Sequence, residues 1–199
     1  DHFVVVTDPG SPLDKSARAE GLKVINADPN VGGRFSALSA FGLVPASLLG
    51  IDVSVLLDDA AEATKEFTTT NSTVVQMAAF LSQPENSFVG FVDHASQVPG
   101  LGDWIEQLIA ESTGKDGRGV LPVVVESESS LTQPNIGFTK DHPRAVLGTL
   151  GAQFIFWEWV TALLGYLLGV DPFNQPNVTE SKERTSALLA DWQSNEIVS

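Results

Sequence analysis

Cysteine is absent from the 199 residues, which excludes disulfides, thiolate metal sites and a cysteine nucleophile. Basic residues are scarce: 11 Lys and Arg stand against 25 Asp and Glu, for a formal charge of −14 and a pI near 4.4. With no basic run in the chain, nucleic acid and an anionic membrane surface are excluded as main partners. Charged residues make up only 18%, too few for a disordered acidic tail or a coiled coil. The three histidines, His2, His94 and His142, are far apart and show no metal-ligand spacing. The nucleophile elbow and the P-loop are both missing, and Gly100-Leu101-Gly102 lacks the third glycine of a dinucleotide fingerprint. There is no initiator Met and no signal peptide; the chain opens on Phe3-Val4-Val5-Val6, an apolar run typical of a buried strand. A buried strand as first element leads to the expectation that the chain is a fragment, and the lack of cysteine fits a cytoplasmic protein.

What is present is a full complement of core residues: hydrophobic side chains account for 43%. Short strands are expected at Phe3 to Thr7, Leu22 to Asn26, Ser87 to Val92, Gly119 to Glu126 and Asn135 to Thr139. Helices are expected at Leu13 to Glu20, at Ser36 to Leu49 with Asn30-Val31-Gly32-Gly33-Arg34 opening it, at Val53 to Phe67, Thr73 to Leu81, Gly102 to Glu111, Pro143 to Gly169 and Val178 to Trp192. Strands that alternate with helices imply an α/β protein, a three-layer αβα sandwich with a mainly parallel sheet. The apolar stretch from Ala145 to Val170 is long enough to span a bilayer, but Gln153 and Glu158 lie within it and no basic cluster follows. A helix buried between the sheet and a neighbouring subunit fits it better. Glu158 is then a partly buried carboxylate that needs a partner, in a structural role.

Three constellations could carry chemistry. Gly32-Gly33-Arg34 stands at an expected helix start, where two glycines let a ligand approach the backbone and free N–H groups attract anions. An arginine there opposes the helix dipole unless a negative charge sits beside it, so Arg34 either stabilises such a charge or is an exposed residue of a tight turn. Glu111 closes its helix about 20° from Trp104 and about 60° from Leu108 around the axis, at the border of the apolar face, with Glu106 roughly opposite. A carboxylate so placed is a candidate general base; the plain alternative is a solvated side chain at a helix end. The third is Phe173-Asn174-Gln175 followed by a helix marked by Asn177 and Glu180. On that helix Lys182 is the one charge on the edge of a face made by Val178, Thr185, Leu188, Leu189 and Trp192. Its ammonium either extends to water or meets an anion, and nearby Gln175 makes a polar site there plausible.

Taken in order, these segments resemble the phosphoglucose isomerase family. Asn30-Val31-Gly32-Gly33-Arg34-Phe35-Ser36 is similar to one of its signature segments, and Phe173 through Lys182, with seven residues from Gln175 to Lys182, is similar to the other. Glu111-Ser112-Thr113-Gly114-Lys115 is similar to the stretch that bears the family's catalytic glutamate. The resemblance corresponds to the C-terminal portion of a family member, with wording closest to isomerase modules fused behind a transaldolase. It implies a sugar-isomerase (SIS) fold, N-terminally truncated here. Residues 1–50 would be the remnant of a first SIS-like domain with a connecting helix, and residues 51–199 a second such domain with its C-terminal helix. It further implies interconversion of glucose 6-phosphate and fructose 6-phosphate, in carbohydrate metabolism, with no metal or organic cofactor and as a homodimer in full length. By matching positions Glu111 would move the proton through an enediol(ate) and Arg34 would stabilise its negative charge. Lys182 and Gln175 would contact the sugar phosphate, with Gly33 lining the substrate site. On its own the fragment is expected to turn over little. A non-catalytic sugar-phosphate-binding module and a structural, dimerising core are the alternatives.

Overall fold

The computed structural model describes residues 2–93, 96–126 and 134–194; His94 lies outside the described residues. In chain order the elements are β1 (Val4–Thr7), α1 (Pro12–Ala19), β2 (Lys23–Asn26), α2 (Ala40–Leu48), α3 (Val53–Phe67), α4 (Thr73–Leu81) and β3 (Phe88–Val92). There follow α5 (Leu101–Thr113), β4 (Leu121–Val125), β5 (Asn135–Gly137), α6 (Leu150–Leu168) and α7 (Pro176–Ser194). Among the described residues the strands form two sheets, β1-β2 and β4-β3-β5, and every pairing there is parallel. Parallel neighbours need crossovers, and α1 and α5 provide two of them. The helix starts follow from short polar side chains: Ser11, Asp52 and Ser72 each accept a bond from a backbone N–H of the first turn of α1, α3 and α4.

The core forms where α6 crosses the second sheet. Trp157 is fully buried and meets Phe91 of β3 edge-on at 5.3 Å, with Ile136, Ile105, Leu108 and Leu164 around them. Here α6 packs against α3, α4 and α5, helices of this same chain. Its contact with α3 is close: a Cβ on Gly151 would stand 2.1 Å from the Leu56 carbonyl oxygen, so no larger residue fits. Among the described residues no helix is long and apolar enough to cross a membrane.

Several elements differ from expectation. Between Gly33 and Leu49 there is a single 3-10 turn, Gly33–Phe35, and α2 starts only at Ala40. The Ser36 and Ser39 hydroxyls donate to the carbonyls of Gly33 and Ser36 at 2.6 and 2.8 Å, and Ser39 caps α2 at the Phe41 N–H. Such local bonds give the backbone an alternative to a continuous helix. Gly33 therefore does not open a helix that could hold an anion. The segment 143–149 is not helical either, since Ala145 bridges Gly137 and Val146 N–H donates to the Gly137 carbonyl at 2.9 Å. On the opposite side of α5 from Glu111, the Glu106 carboxylate accepts from Val124 N–H of β4 at 3.1 Å and ties the helix to the sheet. Finally, α7 begins at Pro176, where proline suits a first helical turn, so Gln175 stands just ahead of it.

Glu158 on α6 has no partner for its Oε1 among the described residues. That atom is buried without a hydrogen bond, as is the Thr161 hydroxyl one turn on, and burial raises the carboxyl from its ordinary 4.5 to about 7. The folded chain thus holds this proton more tightly than the unfolded one, so the contribution is intact below pH 4.5 and is lost as pH rises through 7. A difference of this size corresponds to about 3 kcal/mol. Glu158→Gln is expected to stabilise the chain by about 2–3 kcal/mol at pH 8 and to change little near pH 4. Urea titrations at the two pH values check this, and an equal gain at both would show that ionisation is not the cause.

Candidate active site

Arg34 sits at the centre of the site. The 3-10 turn directs its side chain inward, and the residue is only 3% exposed. Nε donates to the Ser112 hydroxyl at 2.7 Å, and Nη2 to the carbonyls of Pro172 and Asn174 at 2.6 and 2.9 Å. Nη1 donates to Gln175 Oε1 at 3.4 Å and lies 3.8 Å from Glu111 Oε2. Burial draws the guanidinium below its ordinary value, while the carboxylates of Glu111 and Asp171 work in the opposite direction. The Phe35 ring lies 5.5 Å from the guanidinium carbon, and Phe173 packs on Phe35.

Two features of the chain bring these groups together. Glu111 lies in the last turn of α5, whose apolar face anchors it through Ile105, Leu108 and Ile109. At the other side α6 ends on Gly169 in the left-handed conformation, with Val170 N–H bonded to the Gly165 carbonyl and Gly169 N–H to that of Tyr166. This Schellman arrangement turns the chain sharply into residues 171–175, beneath the end of α5. Ser112, fully buried, joins the two sides through Arg34.

The cleft is a cavity of about 270 Å³ bordered by Glu111, Lys115, Gln175 and Val178. Small-molecule sites usually measure about 300–1,000 Å³, so this hollow matches part of such a site. A larger, mainly apolar hollow of about 600 Å³ lies between α3, α4 and the start of α6, and none of the candidate residues lines it. The fold brings Arg34 against Glu111 and Gln175, two side chains that border the cleft, while Arg34 itself stands behind them and is not among the lining residues. The Glu111 side chain is 38% exposed, more open than its place beside the apolar face suggests. Gly33 is adjacent to Arg34, and a side chain there would meet open space, leaving its backbone approachable. Lys182 is not brought into the cleft: it is exposed, four residues beyond Val178 and so one turn further along the same side of α7.

Three neighbours carried no distinguishing signal in the sequence. Gln107 donates from Nε2 to Glu111 Oε1 at 3.2 Å, a contact that the spacing of four on one helix would have allowed. Ser112 and Lys115 lie in the same segment as Glu111, yet nothing local says that one is Arg34's acceptor and the other is buried at 8% exposure.

The described structure defines an α/β protein of the SIS type, in which a carboxylate and a guanidinium meet beside a small cleft. Among solved structures it superposes on a hypothetical protein from Thermus thermophilus with a TM-score of 0.79, at 24% identity, over 95% of this chain and 63% of that one. It superposes on a glucose-6-phosphate isomerase from Chlamydia trachomatis with a TM-score of 0.72, at 17% identity, over 98% and 53%. No family model matches the chain. A glucose-6-phosphate isomerase from Heliobacterium modesticaldum is 27% identical over 89% of this chain and 55% of its own length. One from Clostridium novyi is 28% identical over 87% and 54%. A probable glucose-6-phosphate isomerase from Haloarcula marismortui is 35% identical over 127 residues, 61% of this chain and 29% of its own length. The chain is thus similar to glucose-6-phosphate isomerases, and it spans about half the length of the curated relatives it matches.

Proposed function

We propose that the chain supplies part of the active site of an aldose–ketose isomerase acting on glucose 6-phosphate and fructose 6-phosphate. The observation that supports this best is the 3.8 Å approach of Arg34 Nη1 to Glu111 Oε2 at the edge of the cleft, with Gln175 beside both. In the open-chain aldose, the Glu111 carboxylate takes the proton from C2 and electrons move onto the carbonyl oxygen, giving an enediol(ate). A proton then passes from the C2 hydroxyl to the C1 oxygen, and the C2–O bond becomes the carbonyl. Glu111 returns its proton to C1, giving the ketose with no external oxidant or reductant consumed. Arg34 holds the negative charge that develops on oxygen, a pre-arranged cation acting where water is partly excluded. Gln175 and the Gly33 backbone bind the sugar, and Lys182, which stands outside the cleft one turn further along α7, takes the phosphate or ring-oxygen end of a substrate that extends beyond the cleft and helps the ring to open.

The same reading divides the chain at residues 50 and 51, as the end of one SIS-like domain and the body of a second. It also takes the active protein to be a cytoplasmic homodimer. Two observations fit a site completed by further polypeptide: the small cleft, and α7, whose Leu188 and Trp192 are 69% and 62% exposed.

The test uses the whole polypeptide that carries this chain. Fructose 6-phosphate should be converted to glucose 6-phosphate in a coupled assay, and in deuterium oxide the product should carry deuterium at C2. The isolated chain should turn over little. Binding of fructose 6-phosphate by calorimetry without turnover would replace catalysis by the binding-module reading. That alternative draws on one fact: Nε and Nη2 of Arg34 are already engaged by Ser112 and the 172 and 174 carbonyls, so much of its charge serves the fold.

A further inference from the structure

Lys115 follows the end of α5 by two residues and is 8% exposed. Its Nζ donates to the backbone carbonyls of Asp171 and Asn174, the latter at 2.8 Å, and to Asn174 Oδ1 at 2.7 Å. An ammonium has three protons, and all three have acceptors in the turn between α6 and α7. Arg34 holds the same turn from the other side, through the Pro172 and Asn174 carbonyls, so the Asn174 carbonyl accepts from both cations.

Two positive charges this close oppose each other, and burial adds to the penalty. Desolvation first, then Arg34, lowers the lysine from its ordinary value, while Asp171 and Asp116 counteract them. An apolar residue would avoid both penalties. What it could not do is fix three oxygens of one short turn with charge-assisted bonds. The turn leads directly to Gln175, whose amide faces Arg34, and to the first turn of α7, where Thr179 N–H bonds to the Gln175 carbonyl at 3.2 Å.

We infer that Lys115 is a positioning residue, which by clamping residues 171–174 places Gln175 and the start of α7 at the cleft; its use in catalysis rests on the isomerase reading above. With its protons all engaged by protein oxygens, Lys115 lines the cleft as a fixed wall and leaves ligand contact to Gln175.

The experiment compares wild type, Lys115→Met, Gln175→Ala and the double variant in the whole polypeptide, with Asn174→Ala as a milder change that removes a single acceptor. Misplacement of a binding group by about 1 Å can cost about 10²-fold, and a loss of this order in kcat/KM is expected for Lys115→Met. Because Lys115 acts through Gln175, the double variant should be no slower than the slower single variant, and Asn174→Ala should show a smaller loss of the same kind. Hydrogen exchange supplies a readout that does not depend on turnover: residues 171–179 should exchange faster in Lys115→Met, with β3 and α6 unchanged. Losses that multiply in the double variant, unaltered kinetics, or unaltered exchange in 171–179 would overturn the proposal. Should Lys115→Met unfold globally, Asn174→Ala carries the same exchange test, and unaltered exchange there would overturn the clamp equally. A wild-type polypeptide that never converts fructose 6-phosphate would refute the isomerase reading instead, and exchange would still decide whether Lys115 clamps the turn.

Discussion

Glu111→Gln in the whole polypeptide is expected to lower kcat by about 10³-fold and to leave KM within a few-fold, because general acid–base groups typically contribute about 10²–10⁴. The substitution keeps the size and planarity of the side chain. It also keeps a carbonyl oxygen that can accept from Gln107, which donates to Glu111 Oε1 at 3.2 Å in the native protein. On the proposed mechanism, what is lost is the ability to take a proton from carbon. Since Glu111 is 38% exposed and lies in the last turn of α5, the fold should tolerate the change. A loss confined to kcat marks a group that acts in the transition state, whereas a rise in KM alone would mark a binding residue. Turnover near the native rate would remove Glu111 from the proton-transfer role.

The parts of this fold that could be read from sequence are those decided locally. Asp52 and Ser72 announce helix starts, the apolar spacing that follows has a helical period, and α3 and α4 begin and end where those signals place them. The stretch 33–49 misleads because Ser36 and Ser39 bond backward to nearby carbonyls, so a region of suitable composition breaks into a 3-10 turn and a later helix. The segment 143–149 misleads for a different reason. Its strand-like bonds to Gly137 are made across the fold, and no local pattern records them. At the site, Arg34, Glu111 and Gln175 were visible as charged or amide groups in suggestive places, and the fold gathers them beside one cleft. Their supports were not visible. The acceptors that orient Arg34 are mainly backbone carbonyls at 172 and 174, and a carbonyl has no residue type to identify it.

That support leads to an asymmetry between the two partners of the ion pair. Arg34→Met is expected to destabilise the chain by about 3 kcal/mol or more, since losing one partner of a buried charged network leaves the other groups without compensation. The Ser112 hydroxyl and the Pro172 and Asn174 carbonyls would lose their donor, and a buried polar group left unpaired costs about 1–3 kcal/mol. Relief of the repulsion with Lys115 offsets part of this, and Lys115 still holds Asn174. Glu111→Gln, by contrast, should cost less than about 1 kcal/mol, because its carboxylate is partly in water and its 3.8 Å contact exceeds a hydrogen bond. Arg34→Lys should recover little, since one ammonium cannot reach Ser112, the turn and the cleft together as a planar guanidinium does. Urea unfolding of the three variants measures the ranking. If Glu111→Gln proved as destabilising as Arg34→Met, the carboxylate would be a structural counter-ion, and Arg34 would hold Glu111 in the fold rather than present a charge to the cleft.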